Sequence, residues 1–200
     1  YGFSIDINKF EEHIKYYRDN YKIININEYM NYNIDTLSIT IDDGYKDNLD
    51  AVEILNKYNI PFTLYVTSST LDTRDCLSSG DVKSLSDLAN CEIASHSHDH
   101  VKLETIANDK ILFQLSESKK VLENIIGSEI SGISYPHGSY NEYTLSILES
   151  IGYKYASSSI KGKNNKNTNK YLLRRSEIVQ SDSLSVISKK IKGYYDYYAV

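Results

Sequence analysis

Two short clusters hold the residues best suited to chemistry. Thr40-Ile41-Asp42-Asp43-Gly44 closes an apolar run, and His96-Ser97-His98-Asp99-His100 follows about fifty residues later. Adjacent aspartates at the end of a buried strand are costly, because a desolvated carboxylate must be paired, protonated or bound to a cation. Clustered imidazoles supply neutral nitrogen donors for such a cation. Together the clusters describe a divalent metal site with a spare carboxylate beside it, the equipment of a metal-dependent hydrolase. His96 and His100 are four residues apart, and an extended segment would put His98 on their face, so an all-histidine set is the alternative. Asp-Gly alone reads as a turn, but the buried run leading into it favours a strand end.

A third segment, Ser134-Tyr135-Pro136-His137-Gly138-Ser139, lies between an apolar run and a helical pattern. A Pro-x-Gly turn in that position leaves backbone N–H groups free to face a pocket, and His137 adds a titratable ring. By itself it reads as an ordinary connecting loop. The histidine cluster also approaches the His-x-His-x-Asp-His pattern of metallo-β-lactamase-like hydrolases. The spacing is one residue short of that pattern, and the paired aspartates have no role in it.

The rest of the chain bounds what such a site could serve. Two hundred residues suffice for one sizeable core, so one domain over 1–200 is expected. A net charge of −5 without a long Lys/Arg block argues against a nucleic-acid partner. The basic stretch from Lys161 to Lys170 is interleaved with Asn and Gly and reads as a solvated loop. No apolar run approaches the ~20 residues needed to span a bilayer. The chain begins at Tyr1 without Met, which suggests an upstream segment removed; location stays open between cytoplasm and cell envelope. Oligomeric state is not indicated. Cys76 and Cys91 form neither a disulfide framework nor a Cys-x-x-Cys pair and read as structural or incidental. The tail Tyr194-Tyr195-Asp196-Tyr197-Tyr198 is expected to pack against the domain.

The elements that must position these residues follow from pattern and punctuation. Asn8-x-x-Glu11 has the form of a capping box ahead of a helix carrying Phe10, Ile14 and Tyr17 on one face, and Asn25-x-x-Glu28 repeats it before a shorter helix. Further helices are expected over 48–58, 82–89, 105–126, 141–150 and 183–192, the last three stopped by Gly127, Gly152 and Gly193. Strands are expected over 37–41, 62–66, 92–95, 130–135, 153–157 and 177–179. Strand and helix in alternation mean parallel strands with crossover helices, in a barrel or a doubly wound sheet. Asp42-Asp43, His96, Pro136 and Arg175 all follow strand ends. In a (β/α) barrel those ends meet on one face, which favours the barrel.

At this level of detail the chain resembles a known family. The ordered motifs Thr-Ile-Asp-Asp-Gly, His-Ser-x-x-His and Tyr-Pro-x-Gly are similar to those of the NodB-homology polysaccharide deacetylases, carbohydrate esterase family four. The framing segments DDGYKDNLDAVEILNKYNIPFTLYV and SYPHGSYNEYTLSILESIGYKYA extend the likeness over nearly the whole chain. The resemblance implies an α/β fold, a distorted (β/α) barrel of about seven parallel strands. It implies one divalent metal, usually zinc, held by Asp43, His96 and His100, with Asp42 as the base that activates water. It implies an N-acetylated carbohydrate substrate, with the loop Tyr135, Pro136, His137 and Gly138 binding it and the His137 N–H holding the oxyanion. Two departures stand out. Ser134 occupies a position where many members carry Arg, and Arg175 is the replacement expected to pair with Asp42. No histidine follows His137, so the late histidine that many members use as general acid has no counterpart here.

Overall fold

The computed structural model describes residues 5–31 and 34–196. Strands β1 (Lys22–Ile23) and β2 (Thr36–Leu37) form a small parallel sheet, and β3 (Ile39–Ile41), β4 (Phe62–Val66), β5 (Cys91–Ser95), β6 (Gly132–Ser134) and β7 (Tyr155–Ser157) form a larger one in that order. All pairings are parallel. A doubly wound sheet reverses its strand order at a switch point. Here the order never reverses, so successive crossovers keep turning the same way and the five strands curl into a half-barrel.

Period-two alternation gives this sheet two different faces. On β4, Phe62, Leu64 and Val66 face outward and pack with Leu55 of α2 (Asn48–Lys57), Val82 of α3 (Ser79–Ser86) and Ile111, Leu115 and Leu122 of α4 (Asn108–Ile126). The alternate residue, Tyr65, faces the barrel interior with Ala94, Tyr155, Leu173 and Ile26. The longest helix, α4, turns an inward stripe of Ile111, Leu115, Leu122 and Ile126 to the core and stops at Gly127, as expected. Helix α5 (Glu142–Ile151) is capped by Asn141, and α6 (Leu184–Ile191) by Ser183.

Several local expectations are corrected. Helix α1 (Ile7–Asn20) is capped not by Asn8 but by Asp6, whose carboxylate accepts from the backbone of Asn8 at 3.0 Å and Lys9 at 3.2 Å. The run 37–41 is split between β2 and β3, which belong to different sheets. Residues 177–179 are not a strand: Asp182 Oδ2 accepts from Val179 N instead. The strand-like contact beside β7 is made earlier, where Leu173 bridges Ser157. Cys76 and Cys91 are both free. Tyr194 and Tyr195 are 65% and 37% exposed rather than packed, while Tyr197 and Tyr198 lie outside the described residues. No helix among the described residues is long and apolar enough to cross a membrane.

Candidate active site

The strand ends deliver their side chains to one place. Asp42 and Asp43 leave β3, His96 leaves β5, Ser134 ends β6, and Arg175 follows the Leu173 bridge to β7. The backbone is strained there. Six non-glycine residues among those described have positive φ, and four of them are Asp43, Ser97, His100 and His137. Each such residue costs roughly 1–3 kcal/mol, which the surrounding packing must offset. The turn at Asp43-Gly44 is held by Thr67 N donating to Asp43 O at 3.4 Å and Leu77 N donating to Gly44 O at 2.9 Å.

Asp43 Oδ1 lies 3.2 Å from His96 Nε2 and 3.2 Å from His100 Nε2. One ligand atom from each of the three residues falls within 4.8 Å of the others. The other nitrogen of His96 decides what this means. His96 Nδ1 is 2.8 Å from the Ser134 carbonyl, which can only accept, so Nδ1 carries the proton. In a neutral ring Nε2 then presents a lone pair to a carboxylate oxygen. Two acceptors face each other unless a cation lies between them or the ring is charged. Two imidazoles and a carboxylate are a donor set suited to zinc and similar divalent ions, and the Ser134 carbonyl is the kind of outer partner that orients a ligating histidine. The residues fit a metal. His98 does not join them: the left-handed Ser97 breaks the extended run, and His98 Nδ1 pairs with Ser68 Oγ at 2.8 Å while its ring meets Phe113 edge-on.

Asp42 is set apart by its cation. Arg175 binds it in a two-pronged pair, Nη1 to Oδ1 at 2.7 Å and Nη2 to Oδ2 at 2.8 Å. Nη1 also donates to Thr40 Oγ1, Nη2 to Ser134 Oγ, and Nε to the Ser158 carbonyl. All five guanidinium N–H groups therefore have acceptors. Ser134 Oγ donates to Asp42 Oδ2 at 3.2 Å. Burial raises the Asp42 pKa, but the charge of Arg175 and its hydrogen bonds to the carboxylate outweigh it, and the carboxyl is held below the usual carboxylate range.

The third-motif loop is divided in its exposure. Tyr135 is 1% exposed and its hydroxyl donates to the Tyr171 carbonyl at 2.8 Å, so its ring is in the core and not toward the aspartates. Pro136 is buried too. His137 is exposed, at φ 57°, with its ring edge-on to His100 at 4.6 Å between centroids. Its backbone N–H has no acceptor among the described residues. Gly138 is required by close approach, since a Cβ there would lie 2.7 Å from Ser159.

The chain matches the family model described as polysaccharide deacetylase over residues 30–156, more than half of its length. It belongs to the polysaccharide deacetylase family. Among curated relatives, YxkH of Bacillus subtilis (strain 168) is 30% identical over 156 residues, 78% of this chain and 56% of YxkH. This chain thus spans little more than half the length of that relative. Poly-beta-1,6-N-acetyl-D-glucosamine N-deacetylase of Staphylococcus aureus (strain MSSA476) is 23% identical, with 98% of this chain and 74% of that protein covered. Among solved structures, the Streptococcus pyogenes deacetylase PplD in complex with acetate superposes with a TM-score of 0.88 at 21% identity, covering 96% and 89% of the two chains. That likeness is one of fold.

Some supporting residues carry little sequence signal. Thr40 and Ser158 serve Arg175 as isolated hydroxyl and carbonyl acceptors. Gln114 exchanges two hydrogen bonds of 2.7 Å with Asp99 and so anchors the histidine loop to α4. A glutamine within the inward stripe of that helix is the one clue that could have found it.

Proposed function

We propose that this chain is a metal-dependent N-deacetylase that removes acetyl groups from N-acetylated amino sugars of a glycan, and that residues 1–200 make one such domain. The observation that carries this reading is the arrangement around His96, whose fixed tautomer aims a lone pair at Asp43 and calls for a cation between them. Asp43, His96 and His100 would hold one divalent ion, zinc by the nature of the donors. When bound, it would supply a Lewis acid for the acetamide carbonyl and the attacking water.

The remaining roles belong to the chain itself. Asp42 has about four lone-pair positions, and Arg175 and Ser134 occupy three, leaving one on Oδ1 to take a proton from water. Arg175 keeps that carboxylate ionised and in one orientation. The His137 N–H, without an internal acceptor, is free to donate to the oxyanion, and Gly138 lets its turn lie against Ser159. As the tetrahedral intermediate collapses, the leaving nitrogen needs a proton. Asp42 returns the one it took, which requires no further group and suits a chain with no histidine after His137. Tyr135 and Pro136 serve the loop from within the core, and its substrate contacts fall to His137 and Gly138.

The test is acetate release by metal-loaded protein. A β-1,6-linked N-acetylglucosamine oligomer is the first substrate to try, given what the Staphylococcus aureus relative is named for, followed by chitooligosaccharides and peptidoglycan fragments. Release from any of these supports the reading. No release from all of them, with metal bound, would favour a carbohydrate-binding relative without catalysis.

A further inference from the structure

The in-plane bonds of Arg175 leave the two faces of its guanidinium unaccounted for. Beneath the group lies the Tyr65 ring, with Arg175 Cζ over it at 5.4 Å from the centroid. Tyr65 is fully buried on the inner face of β4, and its hydroxyl pairs with Ser157 Oγ on β7 at 2.7 Å. Tyr155 stands next to it in the interior cluster, its ring so close over Gly132 that a Cβ there would fall 2.1 Å from Tyr155 Cζ. Five hydrogen bonds fix a planar group within its plane but resist displacement along the normal weakly. A buried aromatic face under the cation adds a charge–quadrupole attraction that draws the group toward the ring.

We propose that Tyr65 is a positioning residue that acts through Arg175, holding the guanidinium at the height where it grips both oxygens of Asp42. The inference rests on the deacetylase reading only for its kinetic arm. Tyr65 lies where it does because of period-two alternation, one residue from the outward Leu64 and Val66. A tyrosine in a run that otherwise reads as apolar core gives no hint of this in the sequence.

Five proteins test it: the parent, Tyr65→Met, Tyr65→Phe, Arg175→Ala and the Tyr65→Met/Arg175→Ala double variant that closes the cycle. Tyr65→Leu replaces Tyr65→Met if methionine does not fold. Tyr65→Met is expected to lower kcat about tenfold with KM and metal content unchanged, and Tyr65→Phe to stay within about threefold of the parent. In the Arg175→Ala background, Tyr65→Met is expected to cost less than about twofold more, the non-additivity of residues acting as one unit. Full additivity in the double variant, or a Phe variant as slow as Met, would overturn the inference. An activity-free readout runs alongside: nitrogen-15 NMR of the arginine side chains, with the Arg175 signals identified by their loss in Arg175→Ala. Slowly exchanging Arg175 protons in the parent and Tyr65→Phe, but not in Tyr65→Met, are expected; equal exchange in all three contradicts it. If the parent releases no acetate, the deacetylase reading fails alone, and the NMR comparison still decides the role of Tyr65.

Discussion

Two histidines are buried to the same depth, His96 at 3% exposure and His13 at 2%, and their surroundings could hardly differ more. His96 sits at a strand end, one nitrogen committed to the Ser134 carbonyl and the other aimed at Asp43. His13 lies on the buried face of α1 beside Tyr17, and its Nε2 has no hydrogen-bond partner. Burial lowers the His13 pKa, and Lys9 adds to that against the opposing charges of Glu12 and Asp182. Depth of burial therefore does not mark a working imidazole. What marks it is a neighbour that fixes the tautomer and a second neighbour that can share a cation with the free lone pair.

The contrast predicts that the strand-end region governs turnover and the α1 flank governs only stability. It breaks most visibly at Asp42. Asp42→Asn keeps the shape but removes the base, and turnover is expected to fall by about 10³-fold or more, within the range for a lost acid–base group. Appreciable acetate release by that variant would make the strand-end cluster no more functional than the His13 flank.

Arg175→Ala probes the same region one step out. Turnover is expected to fall by about 10²-fold with metal content intact. The pH profile carries the sign: Arg175 lowers the Asp42 pKa, so in the parent the base stays ionised and activity is lost only as pH falls well into the acid range. Without Arg175 that acid limb of kcat/KM moves to higher pH. A limb that stays in place would detach Arg175 from Asp42.

His137→Ala sharpens the assignment of the proton. If Asp42 both takes and returns it, losing the ring costs at most about tenfold, or ~1.4 kcal/mol of barrier. A His137→Ala variant as inactive as Asp42→Asn would make His137 the general acid.

The smallest effect belongs to the other histidine. Because the folded-state pKa of His13 is lowered, its stability contribution is complete above its unfolded value of about 6.5 and is lost as pH falls through that value toward the folded one. His13→Phe is expected to leave activity unchanged and to reduce the loss of Tm between pH 7.5 and pH 5 by roughly 2 °C. An unaltered Tm difference would show that this imidazole does not titrate on unfolding.

The site was more legible in the sequence than the scaffold details were. Asp42, Asp43, His96 and His100 can be found because apolar strands run straight into them, and burial makes such residues conspicuous. The order of helices and parallel strands was readable for the same reason, through periodicity in 62–66 and 105–126. Periodicity fails for two-residue strands, so β1 went unseen and β2 merged with β3. It also misled at 177–179, where an apolar pair lies beside an Asp182 turn rather than a strand. Side-chain direction was not readable at all at Tyr135, whose place beside Pro136 suggested the pocket while its hydroxyl found Tyr171 in the core. Arg175 was found through its place after a strand, but its five acceptors come from three separate segments, a convergence that only the curl of the sheet creates.

Asp43, His96 and His100 are proposed to hold one divalent ion, with His98 taking no part. Metal content per chain, measured after zinc loading and exhaustive dialysis, tests it most directly in the parent, His98→Ala and Asp43→Ala/His100→Ala. One equivalent is expected in the parent, one in His98→Ala and essentially none in the double variant. Two equivalents in the parent, loss of metal in His98→Ala, or full retention in the double variant would contradict it.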